Sequence, residues 1–151
     1  MPKQEKRFRM NSIQSERDPL KSAKLSGIVF LAGSIVLPLM ALIVPESEIP
    51  ANTGPWFSWL LIIMMPICIL LIYVSYRFLS KRIRQDNLMG PACLMYVFGL
   101  TPSIYGTIIG FMDSALRHTG ILLGLIFSLV GFVFAFMLLP NLWDNIQGFN
   151  Q

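Results

Sequence analysis

The chain has 151 residues, of which 54% are apolar and 13% charged, and it carries a formal charge of +4 at pH 7. A water-soluble domain has roughly a quarter of its residues charged, and here the few charges gather between long apolar runs instead of being spread. An ordinary soluble core is excluded, which leaves the bilayer as solvent.

Residues 1–24 form a polar tail with seven Lys/Arg and three Asp/Glu. Near its end Asp18-Pro19 is a helix-start signal, because Asp can cap free amides and Pro suits the first helical position. The first helix is therefore expected to begin near Pro19 and to enter the membrane at about Leu25. Residues 25–44 carry no charge and have the length needed to cross a hydrocarbon core of ~30 Å. The polar region before this run is too long for a signal peptide, and no small-x-small cleavage site follows Val44, so a retained anchor is predicted.

Residues 45–55, PESEIPANTGP, form a turn-rich loop with Glu46 and Glu48 and no basic residue. Gly54 occupies the place where Asn52 would need Ser or Thr to be a glycosylation acceptor. The second span is placed at 56–76, opened by Trp56 and Trp59, whose indole rings favour the interface. Arg77 to Asn87, RFLSKRIRQDN, is the one strongly charged interior segment, with four Lys/Arg and one Asp. Gly90-Pro91 starts a third span at 88–112. Asp113 to Thr119 reads as a tight, solvated turn with Thr119 as N-cap of a fourth span at 120–139. Pro140-Asn141 is expected to end that span, with Trp143 as an aromatic anchor before the short tail 144–151.

The fold class expected is an all-α membrane bundle of four transmembrane helices: a tail at 1–24, a membrane domain at 25–143 and a tail at 144–151. Outside residues 1–24 and 77–87 the chain has a single basic residue, Arg117. This positive-inside distribution predicts an N-in/C-in orientation. Lys21, Lys24, Arg77, Lys81, Arg82 and Arg84 are then expected at the lipid headgroups. The tail has no dense basic run or aromatic interleaving, so no nucleic-acid partner is expected. Cys68 and Cys93 lie at different depths in their spans and read as free, buried thiols.

Mid-span prolines (Pro38, Pro66 and Pro102) predict kinks, tolerated when neighbours satisfy the freed carbonyls. The third and fourth spans carry small residues four apart: Gly99 and Ser103, Gly106 and Gly110, Gly120 and Gly124, Gly131 and Ala135. Small residues at this spacing let two backbones approach, within the bundle or between copies. The four spans contain no Asp, Glu, Lys, Arg or His. Pumps and proton-coupled transporters place such groups inside the bilayer, so that class is disfavoured. His118, the only histidine, sits near Asp113 and Arg117, and an adjacent Arg opposes a metal cation. With no Ser/His/Asp set, phosphate-cradling glycine loop or paired carboxylate, neither enzyme activity nor a cofactor or metal is expected.

One stretch looks familiar. Arg84-Gln85 in the basic loop is followed by Ser103-Ile104-Tyr105-Gly106 and Ile108-Ile109-Gly110-Phe111. Residues 77–111 thus resemble part of the rotor-ring proteolipids, the c-subunits of rotary ATPases, in which an Arg-Gln loop precedes an Ile-Tyr-Gly run. That family's ion-binding carboxylate would fall at Leu100, the span at 56–76 lacks its glycines, and its four-helix members have both termini outside. The resemblance implies a ring-packing helix without ion transport.

The function expected is a small, non-enzymatic accessory or packing subunit of a membrane complex, a possible homo-oligomer or partner of another membrane protein. It would associate through the glycine-bearing faces of the third and fourth spans, in the lipid bilayer of a prokaryotic cell membrane. The alternative is a small transporter or channel lined by Thr101, Ser103, Tyr105 and Thr107 near Pro102.

Overall fold

The computed structural model describes residues 19–45, 55–80 and 88–148. They form four helices: α1 (Pro19–Ile43), α2 (Pro55–Leu79), α3 (Met89–Met112) and α4 (Arg117–Gly148). All four are long and apolar enough to cross a membrane. The described residues contain no strand, and the architecture is an all-α four-helix bundle. Pro19 and Pro55 open their helices, where a missing amide costs nothing because the first four amides have no helical partner.

The α3–α4 hairpin is the middle of the bundle. Both α1 and α2 pack against α3 and α4, while no contact joins α1 to α2. α3 is accordingly the most enclosed helix of the four. The chain runs up and down, so one end gathers the C-termini of α1 and α3 with the N-termini of α2 and α4. Two apolar clusters fill the interior. Toward the opposite end, Tyr96, Phe132, Ile72 and Met95 form the larger one; beside the turn end, Leu61, Met65 and Ile109 form the smaller. Between them lies a seam of small residues.

Two element boundaries differ from the sequence expectation. Pro140 does not end the last helix, and α4 continues to Gly148. A proline removes one hydrogen bond but does not unwind a helix held on both sides of it. Leu139 and Leu142 are both fully buried in the larger cluster, and Trp143 packs half-buried against it. At the other end Thr119 is no N-cap, because α4 already begins at Arg117. The Asp113 carboxylate orders the turn before it: its Oδ1 accepts the amides of Ala115 at 3.0 Å and Leu116 at 3.2 Å. An Asp side chain commonly accepts backbone amides two and three residues on in such turns.

Candidate functional site

All eight small residues singled out by spacing, Gly99, Ser103, Gly106, Gly110, Gly120, Gly124, Gly131 and Ala135, are buried within one chain. The antiparallel register of α3 on α4 sets Gly106 against Gly120 and Gly124, and Gly99 against Gly131. A Cβ added at Gly106 would lie 2.6 Å from the Gly120 carbonyl oxygen, and one at Gly124 2.8 Å from the Pro102 oxygen. Backbone meets backbone, as small residues permit. Of the two arrangements the spacing allows, the structure shows the one within the bundle. Gly110 extends the seam to α1: its added Cβ would meet Ala41 at 3.1 Å.

α1 holds a stripe of small residues that sequence reading passed over. Ala23, Gly27, Ser34, Pro38 and Ala41 are its buried positions, spaced by three, four or seven, as one helix face requires. Its centre is a polar pin. Pro38 has no amide, so the Ser34 carbonyl four residues earlier loses its helical donor. The Ser103 hydroxyl on α3 donates to that same carbonyl, while the Ser34 hydroxyl turns back to the Leu31 carbonyl at 2.7 Å. A second pin joins the hairpin, where the Ser128 hydroxyl donates to the Gly99 carbonyl at 2.8 Å. The signal was a serine four residues before a mid-span proline, readable only once α1 is known to face α3.

The four candidate pore residues are placed differently from a pore lining. Thr101 donates to the Val97 carbonyl and Thr107 to the Ser103 carbonyl, both within α3 and both at 2.8 Å. Ser103 is buried against α1, and Tyr105 packs half-buried beside the smaller cluster. Each observed donor is turned onto protein backbone. No continuous polar face results.

The turn between α3 and α4 is a polar knot, not the solvated loop expected of it. Asp113 and Arg117 are only 6% and 2% exposed. The Arg117 guanidinium donates from Nη2 to the carbonyls of Ala41 and Val44, both at 2.7 Å. These lie at the C-terminus of α1, where carbonyls have no helical donor and the helix dipole favours a cation. Asp113 Oδ2 accepts the Ser58 hydroxyl of α2 at 2.8 Å, and the Asp113 amide closes α3 by donating to the Ile109 carbonyl. One short turn thus fastens all four helices. Ser58 had no sequence signal, since only the fold brings it 55 residues along the chain to Asp113.

The remaining candidates are soon placed. His118 is exposed at the start of α4, and Glu46 and Glu48 lie outside the described residues. The described residues hold no group of three potential metal ligands. Cys68 is buried and Cys93 partly so, and both are free thiols. Among the proposed headgroup contacts, Lys21, Lys24 and Arg77 are exposed near helix ends, whereas Lys81, Arg82 and Arg84 lie outside the described residues. Tyr96, not foreseen, is fully buried, and its ring stands over Gly27: an added Cβ there would be 2.5 Å from Cζ. Its hydroxyl has no hydrogen-bond partner among the described residues.

Comparison with protein-family models, curated proteins and solved structures found no match.

Proposed function

We propose that this small polytopic membrane protein is a non-enzymatic accessory subunit of a larger membrane assembly, with both termini on the cytoplasmic side. The observation that carries this reading is the closed α3–α4 seam. Backbone approaches backbone from Gly99 to Gly106, and the hydroxyls beside it donate to the chain's own carbonyls. Along Thr101 to Thr107 the three aliphatic hydroxyls are spent on the chain's own carbonyls, which speaks against a polar lining there. What the bundle offers instead is outward apolar surface, chiefly on α1 and α2, which touch α3 and α4 but not each other. Such faces suit lipid and the helices of a partner.

Flux through the purified protein in liposomes tests the closure. Rates equal to those of empty vesicles agree with it; substrate-dependent flux would return the chain to the transporter class. Labelling of single cysteines placed in 1–18 and in 81–87 tests the orientation. Both should react only from the cytoplasmic side, and opposite sidedness would overturn the assignment.

A further inference from the structure

We infer that the Arg77 end of α2 is a binding site for an anionic phospholipid, with the phosphate on the Arg77 guanidinium and an acyl chain in the apolar grooves below it. Arg77 stands in the last turn of α2, exposed, at the end where that helix leaves the apolar region. One turn deeper, the Tyr73 hydroxyl accepts a hydrogen bond from Arg77 Nη1 at 3.4 Å. This contact steadies the guanidinium while leaving most of its fork of N–H donors, the geometry that matches a phosphate.

Directly beneath is a groove lined by Tyr73, Val74, Arg77 and Phe78, of about 280 Å³ and open to the side. Its size is at the small end of ligand pockets, which run from roughly 300 to 1,000 Å³, and suits a stretch of acyl chain, not a whole lipid. A second apolar groove of the same volume runs along α4 past Val130, Val133 and Phe134. The rings of Tyr73 and Phe134, one from each lining, lie 6.4 Å apart. From the helix end inward the order is cation, phenol hydroxyl, then hydrocarbon, which is the order of groups along a phospholipid. Arg77 is the one charged residue of the lining, with no carboxylate beside it there, which favours an anionic headgroup over a zwitterionic one. The assignment does not depend on which side of the membrane this end faces.

The test is native mass spectrometry of the full chain in detergent, supplied with equal phosphatidylglycerol and phosphatidylcholine of identical chains. The wild type should retain phosphatidylglycerol in preference by about tenfold, which corresponds to about 1.4 kcal/mol. Arg77→Gln should abolish the preference, Lys81→Gln should leave it nearly intact, and Val74→Asn should reduce retention of both lipids without changing their ratio. Because Arg77 and Val74 are exposed, circular dichroism should show all variants folded. A wild type without preference overturns the proposal. So does equal loss from Arg77→Gln and Lys81→Gln, which would signify diffuse surface charge, and so does undiminished retention in Val74→Asn.

Discussion

Gly106→Ala adds a single methyl where the α3 and α4 backbones approach most closely. The new Cβ would lie 2.6 Å from the Gly120 oxygen and 3.1 Å from the Gly124 Cα, both backbone atoms that no rotamer change can move. Return to ordinary contact, which begins at 3.4 Å, requires the helices to part locally by several tenths of an ångström. A gap of roughly 0.5–1 Å forfeits a quarter to a half of the ~0.1–0.2 kcal/mol in each neighbouring atom pair. Summed over the seam, this agrees with the usual cost of overpacking, about 1–3 kcal/mol. Better helix propensity returns about 0.5–1 kcal/mol, so net destabilisation of up to about 2.5 kcal/mol is expected, and of about 1–3 kcal/mol relative to a glycine-to-alanine change in open space. Gly33→Ala is the control, because an added Cβ there meets nothing within 4 Å and only the propensity gain remains. Unfolding in mixed micelles on titration with dodecyl sulfate, followed by circular dichroism, gives the difference. The shift should not depend on protein concentration, since the seam lies within one chain. Equal stability of the two variants would refute the closed seam, and a concentration-dependent shift would place the ladder between copies.

Three further outcomes concern the buried polar groups and are read by the same titration. Ser103→Ala strands the Ser34 carbonyl and should cost about 0.6–1.7 kcal/mol, the range of such bonds in membrane bundles; in a Pro38→Ala background, where the helical amide is restored, the cost should shrink toward zero, and an undiminished cost would reject the pin. Tyr96→Phe should be neutral or stabilising by about 1 kcal/mol, because it removes a buried hydroxyl that has no partner among the described residues; a loss above that size would mean the hydroxyl is bonded. Arg117→Gln should cost about 3 kcal/mol or more, since bonds from a charged donor are worth about 1.5–3 kcal/mol each and two carbonyls at the end of α1 lose theirs. A change below 0.5 kcal/mol, typical of surface positions, would place Arg117 in solvent after all.

The spans were legible because runs of about 20 uncharged residues have few alternatives in water. Their ends were less so. Pro140 and Thr119 follow local preference alone, whereas the outcome is tertiary: burial of Leu139 and Leu142 carries α4 through its proline, and α4 begins before Thr119, at the Arg117 anchored on the end of α1. Spacing found the glycine ladder but could not say what lay opposite it, because i and i+4 small residues look alike in a hairpin and in a dimer. Arg117 and Asp113 appeared solvated since a charged turn between spans usually is. Yet a turn this short lies over the ends of neighbouring helices, where free carbonyls and hydroxyls await exactly such donors and acceptors. The Ser34–Ser103 pin required knowing that α1 packs on α3 and not beside α2, information that resides in no single stretch of the chain.

Gentle solubilisation from the native membrane, followed by particle-size determination and mass spectrometry of what co-purifies, tests the accessory-subunit reading most directly. The account predicts a defined complex in which this chain sits at fixed stoichiometry with another membrane protein, whose chemistry would then specify the activity served. A particle containing this chain alone, unchanged across mild detergents and native lipid discs, would contradict it.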